Sequence, residues 1–267
     1  MEQTEIIAYF LSVIVGISLG LIGGGGSILT LPVLVYVLGI SPILSTAYSL
    51  FIVGSTSLAG SFSFMKKGLI HFKTALIFSV PSLVSVFITR KFLVPAIPVH
   101  LFTIGSFEVG KDLAVMVLFA IVMLLASYSM ISGSQPSEKE SKTLNFNIPL
   151  IALEGAIVGL LTGLVGAGGG FLIIPALVLL VKLPMKMAVG TSLLIISVKS
   201  LIGFLGDVGN QEIDWFFLIS FTACSILGIL IGSYLNKYIP GDKLKKSFGF
   251  FVLVMAIYIL LKELLFT

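Results

Sequence analysis

The chain has 267 residues, of which 57% are hydrophobic and only 10% charged, and its mean hydropathy is +1.17. Soluble domains carry about 25% charged residues, so no water-soluble core of this size could hide so much apolar surface, and the composition points to an integral membrane protein. The formal net charge of +4 comes from basic residues spread through short loops, which argues against a nucleic-acid footprint and makes them topology signals.

A bilayer core takes about 20 apolar residues per helix. Apolar segments run over 5–38, 43–64, 73–93, 111–131, 148–181, 185–205, 213–236 and 245–265. The start, "MEQTEIIAYF", lacks the basic stretch of a cleaved signal peptide and leads straight into the first segment. That segment is too long for one span and contains "LIGGGGSILTLP" at 21–32. Glycine costs about 1 kcal/mol in a helix interior relative to alanine, so the run predicts a broken helix. Gly16 and Gly20, just before it, have the GxxxG spacing of close helix packing. The second segment carries Tyr48, Ser49 and Ser57, and the loop after it holds Lys66, Lys67, His71 and Lys73. The third segment runs toward Arg90 and Lys91, read as loop residues. The stretch "FLVPAIPVHLFTIG", 92–105, reads as an irregular linker holding His100, with room for an extra short crossing. Glu108 and Asp112 flank the fourth segment as solvated acids. The polar stretch "SGSQPSEKESKTLN", 132–145, divides the chain into halves at 1–131 and 148–267, with 132–147 as the linker.

The fifth segment repeats the pattern of the first. It contains "LVGAGGGFLIIP" at 164–175, with Gly159 and Gly163 ahead of it. Glu154 reads as a helix-start acid. The sixth segment carries Thr191, Ser192, Ser200 and, well inside it, Lys199. A charged residue there costs several kcal/mol unless it is paired or wet. Asp207 follows near the segment's end and reads as a loop acid. Cys224 is the single cysteine, so no intrachain disulfide can form, and it reads as a small packed residue.

A shift of 143 aligns the halves without a gap from Gly16 to Phe72. Gly23, Gly25 and Gly26 fall on Gly166, Gly168 and Gly169; Pro32 falls on Pro175, Ser49 on Ser192, and Ser57 on Ser200. Glycine, proline and serine matching at one offset is a far stronger repeat signal than shared leucine and valine. The loop after segment two is basic, whereas its counterpart holds Asp207, Glu212 and Asp214. Equivalent loops on opposite sides make the repeat inverted. An inverted repeat needs an odd number of crossings per half, which follows if segments one and five fold back at their glycines. Lys66, Lys67, Lys73, Lys139, Lys142, Lys182, Lys186, Lys237, Lys243, Lys245 and Lys246 are then inside; Arg90, Lys91, Lys111 and Lys262 are outside. The expected fold is an all-α membrane protein of about eight hydrophobic segments in two inverted four-segment repeats with glycine-broken first helices.

Non-helical backbone at membrane depth is tolerated only where it is buried in protein or lines a wet cavity. The first N–H groups of a helix lack internal partners and, with the helix dipole, attract anions. Glycine lets a ligand approach them. The expected substrate site therefore comprises Gly24, Gly25, Gly26, Ser27, Gly168, Gly169 and Gly170, with Ser49, Thr191 and Ser192 as hydroxyls and Lys199 as charge. The glycine runs lack the GK[ST] of a nucleotide loop, the two histidines have no second ligand at metal spacing, and there is no nucleophile–base pair, HExxH or Gly-x-Ser-x-Gly. An enzyme, a metal and a cofactor are not expected. The expected partners are the lipid bilayer and a small anion, with room for a homodimer and no nucleic acid.

The paired "GLIGGGGSILTLPVL" and "GLVGAGGGFLIIPALV", each followed by a Ser-Leu segment ("AYSL", "GTSL"), resemble the sulfite exporter TauE/SafE family across essentially the whole chain. The resemblance implies secondary export of sulfite, or of an organosulfonate such as sulfoacetate, across the bacterial inner membrane, here by alternating access. The first half departs from the family pattern, with "AYSL" for GTSL and the inserted "VHLFTIGSFEVG". Lys199 comes from its burial and not from the family motif. An anion channel on the same scaffold, or a membrane assembly protein that transports nothing, are the alternatives.

Overall fold

A computed structural model describes residues 2–104, 107–132, 148–166, 168–179 and 181–265. Most of the linker at 132–147 lies outside the described residues. Helix α1 (Glu2–Ile22) ends in a tight 3-10 turn, Gly23–Gly26. Helix α2 (Ser27–Pro32) follows and widens into a π-helical turn, Val33–Val37. Next come α3 (Pro42–Lys66) and α4 (Phe72–Ala96), the latter with a π-helical turn at Thr89–Leu93. Strands β1 (His100–Ile104) and β2 (Phe107–Gly110) pair antiparallel. The inserted stretch is therefore a two-stranded hairpin and not an extra crossing. Helix α5 (Lys111–Ser132) ends the first half, and the second half holds α6 (Ile148–Val165), α7 (Gly170–Leu179), α8 (Met185–Leu205), α9 (Trp215–Leu235) and α10 (Gly241–Leu265).

Among the described residues six helices are long and apolar enough to cross a membrane: α3, α4, α5, α6, α8 and α9, the last extended to Tyr238. Their outer faces suit lipid. On α4 the exposed residues Phe72, Leu76, Val80, Val84, Ile88 and Phe92 recur every fourth position, an unbroken apolar stripe. Helices α3 and α8 are the most enclosed, and their interiors carry hydroxyls rather than only hydrocarbon.

Three packing relations set the architecture. Helices α3 and α8 run antiparallel: Gly54 lies against Leu201, Gly190 against Phe64, and the Phe51 ring is 5.0 Å from Phe204. Helices α1 and α9 run parallel in close contact. A Cβ on Gly16 would collide with Ser225 and Gly228, one on Gly20 would meet Ile229 and Ser233, and Ser225 Oγ donates to the Ser12 carbonyl at 3.0 Å. Helices α4 and α6 run parallel in the same way, with Gly155 on Phe78, Gly159 on Ser82 and Ser85, and Gly163 on Thr89. The last two sets are one pattern at the offset of 143: Gly16 with Ser225 corresponds to Gly159 with Ser82. Small residues let these backbones touch, which drives helix association where lipid removes the usual hydrophobic difference.

Charge separates the two ends. Lys67, Lys186 and Lys237 gather at the end where α3 and α9 finish and α8 begins: Lys67 Nζ donates to the Ser233 carbonyl at 2.8 Å, and Lys186 Nζ to the Lys237 carbonyl at 3.3 Å. Desolvation of its tucked ammonium, then repulsion from Lys237 and Lys186, lowers Lys67 from the ordinary lysine value. The opposite end carries the α8–α9 loop with Asp207, Glu212 and Asp214. Because α3 and α8 are antiparallel spans, their C-terminal loops face opposite sides. In a Cys224→Ala background, Lys67→Cys should label with an impermeant maleimide from one side of sealed vesicles and Asn210→Cys only from the other. Labelling of both from one side would contradict this packing.

Candidate functional site

Both glycine runs break their helices, and the two breaks meet. A Cβ on Gly24 would collide with Gly170 Cα and Ile196, and one on Gly170 would collide with the Gly24 backbone. Ser27 Oγ donates to the Gly24 carbonyl at 2.6 Å, closing the first break. Across the contact, a Cβ on Gly168 would lie 3.5 Å from Ser27 Cβ and 2.6 Å from Val53. Gly25 and Gly26 belong to the same 3-10 turn. Each break also leans on the central helix of the other half. Gly23 lies on Val189 and Ser192 of α8, and Gly166 on Thr46 of α3, again a matched pair at an offset of 143.

Lys199 sits beside this junction and is fully buried. Its Nζ donates to Thr162 Oγ1 at 2.9 Å, and Gly169, at φ +62°, faces both groups. A side chain at Gly169 would meet Thr162 Oγ1 and, at 2.7 Å, Lys199 Nζ. Both the backbone conformation and the space exclude one. Among the described residues no carboxylate comes within ion-pair distance of Lys199. An ammonium has three donors, and one neutral hydroxyl does not offset burying the charge. Thr56, its repeat counterpart on α3, falls at the same depth because Gly54 opposes Leu201 on the antiparallel pair. Thr56, Ser57, Ser49 and Ser200 are buried on α3 and α8, and their hydroxyls have no partner among the described residues.

The structure thus brings Gly24, Ser27, Gly168, Gly169, Gly170 and Lys199 together. Ser192 lines the first break but donates back to the Val189 carbonyl at 2.8 Å, the common fate of a helical serine. Thr191 faces away, accepting from the His71 backbone N–H at 2.9 Å. His71 caps α4 through its ring, which accepts from Thr74 N–H at 3.2 Å. Ser49 is buried without a partner among the described residues. Thr162 was not a sequence candidate; an apolar-flanked threonine carries no signal until α6 is packed.

Three sequence readings are corrected. Arg90 is not a loop residue: the π-helical turn carries it inward until it is fully buried. Asp207 is likewise buried and lies 3.4 Å from Arg90 Nη1. Burial raises its carboxyl above the usual aspartate value, against the pull of Arg90 and Lys111. Glu154 does not open its helix; it lies in the second turn of α6, with Oε2 buried and unpartnered among the described residues. No group of three or more metal-ligating side chains occurs among the described residues.

The chain matches the sulfite exporter TauE/SafE family over residues 8–259. It belongs to that family. A relative from Xylella fastidiosa (strain 9a5c), described as a probable membrane transporter protein, is 29% identical over 92% of this chain and 91% of its own length. The Bacillus subtilis (strain 168) protein YunE, with the same description, is 25% identical over 87% of this chain and 88% of its own. A Methanocaldococcus jannaschii relative is 35% identical over 42% of this chain. No solved structure matches. This TauE/SafE member is a multi-pass membrane transporter.

If Thr162 is the protein partner of Lys199, Thr162→Val should lower stability by about 1–3 kcal/mol without substrate, the cost of a buried donor left unmade. Unfolding in detergent measures it; an unchanged midpoint would show that Lys199 finds other partners.

Proposed function

We propose that the protein exports a small sulfur oxyanion, sulfite or an organosulfonate such as sulfoacetate, through a single site where the glycine breaks meet. The observation that carries this reading is Lys199: a fully buried lysine whose Nζ packs against Gly169 and has one neutral hydroxyl partner, Thr162, among the described residues. A passing anion completes it. The hydroxyls of Thr56, Ser57 and Ser200, without partners among the described residues, offer further donors along the central helices.

The mechanism is alternating access between two inverted repeats, 1–131 and 148–267. The matched contacts at one offset and the antiparallel pairing of the equivalent helices α3 and α8 support that symmetry. Helices α1 and α3 both run parallel to α9, with Tyr48 near Asp214 and Lys67 near Ser233 along α3. The Gly23–Gly26 turn and α2 therefore fold the chain back between them, which makes segment one re-entrant, and α7 does the same in the other half. The basic end marks the cytoplasm. Rocking one half against the other would expose the junction to each side in turn. The substrate set and the export direction follow the family name, sulfite exporter.

Lys199→Met keeps the apolar stem and removes the charge. Binding of labelled sulfite should weaken by about 1.5–3 kcal/mol, the worth of a charge-assisted hydrogen bond, roughly tenfold to more than a hundredfold. The substrate-free melting temperature should hold or rise, because a buried charge has gone. Unchanged affinity would remove Lys199 from the site.

A further inference from the structure

We propose that the Arg90 guanidinium is a second oxyanion site, on the outward side of the second glycine break, and that Asp207 is its displaceable internal anion. The proposal rests on the anion-export reading, and it concerns residues apart from Lys199.

Arg90 is fully buried, and its environment is built for a guanidinium. Nη1 donates to Thr46 Oγ1 at 2.9 Å. A Cβ on Gly166 would lie 2.5 Å from Nη2, so only glycine fits against the planar group. Gly206, just past α8, clears room for the Arg90 stem, since a Cβ there would lie 2.9 Å from Arg90 Cβ. Nε and Nη2 nevertheless have no protein acceptor among the described residues. That edge of a guanidinium is a fork that takes two oxygens of one oxyanion side by side.

The pairing with Asp207 is loose. The contact is one oxygen to Nη1 at 3.4 Å, beyond the 2.7–2.9 Å of an aligned charged hydrogen bond. It leaves Asp207 Oδ2 without a hydrogen bond. A structural buried pair offsets its desolvation only with excellent geometry, and this one leaves the better edge of the arginine uncommitted. Asp207 has a second cation within electrostatic reach, Lys111, whose Nζ is held at the Val94 carbonyl at 2.5 Å. An arriving anion with two oxygens on one centre, a sulfite or a sulfonate, takes the fork while Asp207 turns toward Lys111.

The placement suits a relay. Gly169 faces Lys199 and Gly166 faces Arg90, so the two cations flank one break. From Lys199 to Gly206, which abuts Arg90, the rise along the α8 axis is roughly 10 Å. The Arg90 end is opposite the lysine-rich end, on the exit side for export. An anion released from the junction would meet Arg90 next, and Asp207 would expel it by retaking its place.

The test is equilibrium binding of radiolabelled sulfite to purified protein. Asp207→Asn, which removes the competing anion, should tighten binding about tenfold, both in the native background and in Lys199→Met. Adding Arg90→Lys, which keeps the charge but removes the fork, should abolish the gain. No gain, or a gain that survives Arg90→Lys, would overturn the second site. If Asp207→Asn does not fold, Arg90→Lys alone decides: it should raise the KM for sulfite efflux from proteoliposomes about tenfold at an unchanged melting temperature, and an unchanged KM would overturn the proposal. A gain in Asp207→Asn together with full affinity in Lys199→Met would support the Arg90 site and sink the central one, so the two readings fail separately.

Discussion

Two stretches of interrupted backbone, Gly23–Gly26 and the run ending at Gly170, lie against each other at Gly24 and Gly170 with no room for a Cβ on either. The rest of the molecule is arranged around that contact. Lipid cannot satisfy broken helix ends, so the breaks must be enclosed by protein. Helices α3 and α8 supply the enclosure, each carrying the break of the other half on its early turns, at Thr46 and at Val189. Helices α1 and α6 must then reach the junction from outside the central pair. They do so by packing on α9 and α4 through glycine and serine, residues small enough for backbone-to-backbone contact.

The same enclosure makes the interior polar in a protein whose outside is hydrocarbon. Charges in a membrane protein belong in its interior or at its ends, and Lys199 and Arg90 are both inside, one on each side of the second break. Among the described residues their protein partners are few: a threonine hydroxyl for Lys199, a threonine hydroxyl and a loose aspartate for Arg90. Under the proposed anion export, perfect internal pairing would leave nothing for a mobile anion to displace. Each half carries one of them, Arg90 in the first and Lys199 in the second, and they do not match across the repeat, since Thr56 stands where the second half has Lys199. The scaffold is therefore near-symmetric while its charge is not.

Much of this was legible in the sequence because lipid imposes simple rules. The spans follow from apolar length; the residues from 43 to 64 became Pro42–Lys66 and those from 185 to 205 became Met185–Leu205. The glycine runs announced breaks, and the offset of 143 reappears in single contacts, Gly16 with Ser225 and Gly159 with Ser82. Partner choice was not legible: Gly16 and Gly20 declare a tight contact, but only packing shows that it lies on α9. Arg90 was misread because its place near a segment end looks like a loop, and one π-helical turn redirects it inward. Asp207 followed it for the same reason, as the loop acid that the buried arginine draws in. The 100–110 hairpin was missed because its short strands lack a sustained alternation. Thr191 and Ser192 show the limit of hydroxyl counting: both were equally eligible by position, and local hydrogen bonds engage both.

The junction of the two breaks can be tested directly by joining them. With a Cβ on Gly168 only 3.5 Å from that of Ser27, the pair lies within the range a disulfide spans. In a Cys224→Ala background, the Ser27→Cys, Gly168→Cys double variant should cross-link on mild oxidation. The oxidised protein should stop sulfite efflux from proteoliposomes, and reduction should restore it, because the two halves must move apart at this contact during each cycle. Absence of the cross-link, or full efflux while it is intact, would contradict a substrate path through the meeting point of the glycine breaks.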